Sequence, residues 1–135
     1  MLNVFMTARL LGSTKKPRYA GQELRVWLCY DPADPYAVQL NFVAGGGKRI
    51  GWLFSRDLLA AGLTGRAGDG DVRITGLDDT VEIALSSPDG VARLEFSRAD
   101  LERGIDESET LVPIGTESAA FDWDHEIGLL GRGAA

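Results

Sequence analysis

Cysteine and histidine each occur once in this chain of 135 residues, as Cys29 and His125. A single thiol excludes an internal disulfide framework and any CxxC metal site, and points to a reducing compartment. No run of 18 apolar residues is present, so no segment reads as a membrane-spanning helix and no membrane insertion is expected. The opening MLNVFMTARLLGS has no basic leader ahead of an uninterrupted apolar stretch, so no signal peptide is expected either. The 44% apolar and 25% charged content is too apolar for intrinsic disorder. Together these features predict one soluble, cytoplasmic domain spanning residues 1–135.

Positive charge is scarce and unevenly placed. The net charge of −6 disfavours non-specific binding to a phosphate backbone. Residues 1–30 nevertheless hold Arg9, Lys15, Lys16, Arg18 and Arg25 against Glu23 alone, whereas residues 100–135 hold nine acids against Arg103 and Arg132. Two readings follow: solvated faces that confer solubility, or complementary surfaces for self-association or a protein partner.

Alternation at a period of two dominates what is present. A first strand reads from Leu2 to Leu11. In a second, residues 24–30, Leu24, Val26, Leu28 and Tyr30 face the core, with Arg25, Trp27 and Cys29 opposite. Asp31 to Pro35 is a turn. Tyr36, Val38, Leu40 and Phe42 then face the core, Gly45-Gly46-Gly47 turns the chain, and Ile50, Trp52 and Phe54 return it as a β-hairpin. Ser55 reads as the N-cap of a short helix that Gly62 terminates, with Asp57 in its first turn. The plan recurs: Val72 and Ile74 in a strand, Val81–Leu85 and Val91–Phe96 in a hairpin around Pro88-Asp89-Gly90, and a helix opened by Ser97. Phe54-Ser55-Arg56 reappears as Phe96-Ser97-Arg98, 42 residues on, either through duplication or through convergence of similar caps. A C-terminal helix is expected from Phe121 to Leu130, with Asp122 as N-cap and Trp123, Ile127 and Leu130 as its apolar stripe, followed by a flexible tail over residues 131–135. The predicted class is α+β: an antiparallel sheet built from two strand–hairpin–helix units, plus the C-terminal helix.

The residues that carry chemistry do not assemble into a reaction site on spacing. Gly45-Gly46-Gly47-Lys48 lacks the Ser or Thr and the following helix of a phosphate loop, so it reads as a hairpin turn. His125 among Asp122, Asp124 and Glu126 reads as a solvated helix start, and Gly68-Asp69-Gly70-Asp71 as a loop ahead of a strand. Cys29 reads as a small buried thiol, and no GxSxG elbow surrounds Ser86-Ser87. The expectation is a protein that is not an enzyme, with no cofactor, no metal and no catalytic residue. Trp27 beside Arg25 on the outer strand face fits packing or an oligomer interface better than base stacking.

Five segments, in order, resemble the SsgA-like sporulation and cell-division proteins of actinobacteria. They are Tyr30-Asp31-Pro32-Ala33-Asp34-Pro35-Tyr36-Ala37-Val38; Trp52-Leu53-Phe54-Ser55-Arg56-Asp57-Leu58-Leu59-Ala60; Gly70-Asp71-Val72-Arg73; Ile83 to Gly90; and Val112-Pro113-Ile114-Gly115-Thr116-Glu117 with Phe121-Asp122. The resemblance covers residues 29–127, and residues 1–28 match weakly. It implies a Whirly-like fold, a homotrimer, and a regulator or adaptor of sporulation-specific division at the cell septum that recruits division proteins such as FtsZ. It also implies that Asp34, Pro35, Tyr36, Arg56, Asp57 and Leu58 serve the fold. The alternative is a single-stranded nucleic-acid-binding module of the same fold. Lys15, Lys16, Arg18, Arg25 and Trp27 are the candidate partner surface.

Overall fold

In β1 (Leu2–Ser13), Val4, Met6, Ala8 and Leu10 are buried, while Phe5 and Arg9 between them stay exposed, as a half-buried strand requires. The computed structural model describes residues 1–43 and 47–120. After β1 come β2 (Glu23–Tyr30), β3 (Ala37–Val43), β4 (Arg49–Ser55) and the helix α1 (Arg56–Leu63). The second half holds β5 (Arg66–Asp69), β6 (Val72–Gly76), β7 (Thr80–Ser87), β8 (Gly90–Ser97) and α2 (Arg98–Leu111), and α3 (Glu117–Ala120) follows. All eight strands form one antiparallel sheet in the order β4-β3-β2-β1-β8-β7-β6-β5, with β1 joining the halves.

The sheet curls strongly. Phe42 on β3 and Phe96 on β8 are three strands apart, about 14 Å in a flat sheet, yet their ring centroids lie 6.4 Å apart. The core therefore sits inside the curl, where Val26, Leu28, Leu40, Ile74, Ile83 and Phe96 are shielded from water. A β-bulge between Leu10 and Gly12 bends β1 where it passes from one half to the other. Helices plug one end. Buried Leu101, Gly104, Ile105 and Ser108 fall on one stripe of α2, which packs on β1, β7 and β8, while α1 packs on β5 and β6. A Cβ at Gly104 would lie 2.8 Å from Leu28 Cδ1, so glycine is what lets α2 seat on β2.

Several expectations need correction. The second long helix follows four strands rather than three, because Arg66–Asp69 pairs with β6; Gly68-Asp69-Gly70-Asp71 is thus a strand end and hairpin turn. Tyr36 is exposed, since β3 begins only at Ala37, and Ile50 is exposed near the open end of the curl. Gly62 does not end α1; it lies inside the helix against Ile74. Cys29 is half-buried on the outer face, where Asn41 Nδ2 donates to its sulfur at 3.2 Å. The turn at 44–46 and the expected helix at 121–130 lie outside the described residues.

Candidate interaction site

Three of the five resembling segments, those around Tyr30–Val38, Trp52–Ala60 and Val112–Glu117, meet at one buried junction. Arg56, the first residue of α1, is completely shielded from water. Its Nη1 donates to the Val112 carbonyl at 2.7 Å and to Ser108 Oγ at 3.2 Å, and its Nη2 donates to Glu117 Oε1 at 2.9 Å. The guanidinium carbon lies 4.7 Å from the centre of the Tyr30 ring. A buried cation costs least when its charge and donors are met, and here a carboxylate, a carbonyl, a hydroxyl and a ring face meet the charge and both terminal nitrogens, while the buried Nε has no hydrogen-bond partner. Glu117 Oε2 accepts the Gly115 N–H at 2.8 Å, and the Tyr30 hydroxyl donates to the Pro35 carbonyl at 2.9 Å. The Tyr36 carbonyl accepts the Arg56 backbone N–H. The junction thus ties β2, the β2–β3 loop, α1 and the segment after α2 together.

These contacts shift two titrations. The hydrogen bond from Arg56 holds the Glu117 carboxyl below the usual carboxylate range, with backbone donors assisting and burial opposing. Burial raises the Tyr30 phenol above its ordinary value, against the Arg56 charge. Both groups have a fixed structural job, so the junction is a clasp. Of the residues that the resemblance assigned to the fold, Arg56, Pro35 and Tyr36 enter this clasp directly. Asp34 N–H donates to the Asp31 carbonyl in the turn, Asp57 is exposed in the first turn of α1, and the Leu58 N–H donates to the Ser55 cap.

Arg98, the corresponding first residue of α2, donates to the carbonyls of Leu63, Leu77 and Asp78. Leu63 is the last residue of α1, and its carbonyl has no partner within its own helix.

An apolar cleft of about 290 Å³ opens at the end of the curl that the helices leave uncovered. Leu10, Leu24, Phe42, Ile50, Trp52 and Leu94 line it. Lys15 and Asp89 form an ion pair at its rim, 3.3 Å apart. The exposed Lys16, Arg18 and Lys48 belong to the two connections at this same end of the sheet, and exposed Arg49 opens β4. The cleft lining is apolar and continuous, which suits a side-chain cluster better than a reacting polar group. Among the described residues, no group of three or more His, Cys, Asp or Glu side chains could hold a metal ion. No helix among them is long and apolar enough to cross a membrane.

The five residues of the candidate partner surface fall in separate places. Lys15 stands at the cleft rim. Lys16 Nζ and Arg18 Cζ lie 5.6 and 5.2 Å from the centre of the Tyr19 ring. Arg25 and Trp27 occupy the outer sheet face, where Trp27 packs edge to face on Phe5 with centroids 5.1 Å apart. Sequence reasoning gave no role to Ser108 and did not single out the cleft. The signal for Glu117 was there: it is the one acid in the Val112–Glu117 segment.

The fold is that of sporulation-specific cell-division proteins. A family model described as "Streptomyces sporulation and cell division protein, SsgA" matches residues 24–117, and the chain belongs to that family. The sporulation-specific cell division protein SsgB of Streptomyces coelicolor is 45% identical over 104 residues, covering 74% of this chain and 76% of the relative. SsgB of Salinispora tropica is 43% identical over 113 residues, covering 79% of each. The crystal structure of an SsgA-like sporulation-specific cell division protein from Thermobifida fusca superposes with a TM-score of 0.81 at 36% identity, covering 94% of this chain and 93% of that one. A solved SsgB structure, from work correlating mutations in SsgB with longitudinal cell division during sporulation of Streptomyces coelicolor, gives 0.80 at 38% identity, covering 89% and 94%.

Proposed function

We propose that this chain is a non-catalytic adaptor of sporulation-specific cell division, acting in the cytoplasm at the septum as a homotrimer and bringing division proteins such as FtsZ to that site. The observation that carries the reading is the family match across residues 24–117, which includes every element of the Arg56 clasp. The clasp uses the signature residues to hold the fold, and the open apolar cleft supplies a surface suited to protein contact.

The test joins solution mass to capture of FtsZ. The expected mass is that of three chains, unchanged by Lys15→Glu/Lys16→Glu/Arg18→Glu. Immobilised wild-type protein is expected to retain FtsZ, and Ile50→Glu at the cleft mouth to weaken retention without changing the far-ultraviolet circular dichroism. A monomer that ignores FtsZ would overturn the proposal.

A further inference from the structure

β4 stands at one end of the sheet order, with no strand beyond it among the described residues. The register tells which of its backbone groups are free. The Tyr36 carbonyl accepts the Arg56 N–H, so these two residues are a hydrogen-bonded pair in continuation of the β3–β4 ladder. Such pairs alternate along antiparallel strands. Ile50, Trp52 and Phe54 therefore turn their N–H and C=O groups to β3, and Arg49, Gly51 and Leu53 turn theirs away from the sheet. The opposite edge, β5, is four residues long and has α1 packed on it.

The outer face beside the β4 edge carries charge of one sign. Arg25, Val43 and Arg49 form one row across β2, β3 and β4, which sets the two arginines about 10 Å apart at Cα. They share a cavity of about 390 Å³ with the aromatic pair Phe5 and Trp27. The next two rows, running from Phe5 to Gly51 and from Asn3 to Leu53, hold no acid. On the other half of this face the arginines are matched, Arg9 to Glu95 at 3.1 Å and Arg93 to Glu82 at 2.9 Å. The guanidinium groups of Arg25 and Arg49 have no ion pair among the described residues. Leu53, four residues along the edge from Arg49, is 63% exposed.

We propose that the β4 edge takes an extended acidic segment of a partner protein as an added antiparallel strand. Its acidic side chain stands opposite Arg49, in the cavity that Arg25 also lines, and an apolar side chain four residues earlier stands opposite Leu53. Free backbone donors and acceptors call for another backbone, and the side chains set in register select which one. A carboxylate in that cavity meets two guanidinium groups beside aromatic rings, where partial exclusion of water strengthens the pairing. Two cations are too few to track a phosphate chain, so a peptide suits this face better than a nucleic-acid strand. The surface lies on the other side of β4 from the cleft, and the inference does not depend on the septal reading.

The experiment titrates the full chain into fluorescein-labelled Thr-Leu-Thr-Val-Thr-Glu-Thr and follows anisotropy. Two companion peptides replace Glu by Lys or carry an N-methyl group on Val, which faces Gly51 and would lose its hydrogen bond to that carbonyl. The Glu peptide is expected to bind the wild type about tenfold more tightly than the Lys peptide does, with the N-methyl peptide weakened to a similar degree. In Arg25→Glu/Arg49→Glu, checked for fold by circular dichroism, the preference between Glu and Lys peptides is expected to reverse. Equal binding of the Glu and Lys peptides to the wild type would overturn the proposal, as would full binding of the N-methyl peptide. A second copy of the chain seated on the edge would appear as no peptide binding up to millimolar concentration, which also overturns it. So would displacement of the Glu peptide by a single-stranded oligonucleotide at lower concentration than by unlabelled peptide.

Discussion

Arg56 and Arg98 hold the first positions of α1 and α2, and each reaches carbonyls at the far end of the other's helix. Arg56 donates to Val112, the C-cap of α2, and Arg98 to Leu63, the last residue of α1. The last carbonyls of a helix lack intrahelical N–H donors and carry the negative end of its dipole, so a guanidinium meets both needs at once. The recurring Phe-Ser-Arg triplet thus has a spatial counterpart in two crossed clasps that lock the helices to each other.

The two clasps differ in burial, and so should their mutants. Arg56→Ala leaves Glu117 buried without its cation and should cost about 3–5 kcal/mol of unfolding free energy. Arg98 is half-buried and meets only neutral carbonyls. Arg98→Ala should cost about 1–3 kcal/mol. Urea titrations of the two variants beside the wild type measure both, and equal losses would contradict this account.

The lowered pKa of Glu117 sets an acid limb. An acid whose pKa is lower in the folded state adds stability that is fully present above its unfolded value, near 4.5, and is lost as pH falls through the folded value. Thermal midpoints measured from pH 7 to pH 3 should lose this contribution only below about pH 4.5. In Glu117→Gln the starting midpoint should be lower and this part of the slope should be gone.

The two serines that open the helices are not equivalent. Ser55 Oγ accepts the Leu58 N–H at 3.2 Å, whereas the Ser97 side chain makes no cap bond. Ser55→Ala should therefore cost about 1 kcal/mol, and Ser97→Ala only a few tenths. Chemical denaturation of the two single variants decides it.

Gly62 tests how closely α1 is seated. A Cβ there would overlap Ile74 Cγ2 and lie 2.5 Å from Ile74 Cβ. Gly62→Ala should destabilise by about 1–3 kcal/mol, despite a helix-propensity gain of about 1 kcal/mol. Adding Ile74→Ala removes the overlapping methyl, so the double variant should be more stable than the sum of the two single changes predicts. Additive losses would show that the helix simply shifts.

Most of the sheet was legible because one face of each long strand is buried, and alternation records that directly. β5 was not, because Arg66-Ala67-Gly68-Asp69 has no apolar face; it is a strand only through its pairing with β6. Tyr36 and Ile50 share the register of buried neighbours, yet one precedes its strand and the other lies at the uncovered end of the curl. Alternation reports which face a side chain takes, and not how far along that face the helices extend. For the same reason the cleft could not be read from the pattern. Arg56 was visible as a motif residue, but its burial depends on Ser108, Val112 and Glu117, more than 50 residues later.

The place of β1 between the halves also bears on synthesis. One edge of β1 pairs with β2 almost as soon as both strands leave the ribosome, but the other waits for β8, whose Glu95 meets Arg9 across 86 residues. At typical translation speeds that edge stays bare for on the order of ten seconds. A nascent chain is therefore most open to strand capture by its neighbours in that interval, and a charged residue such as Arg9 on the waiting strand is the kind of guard that discourages it.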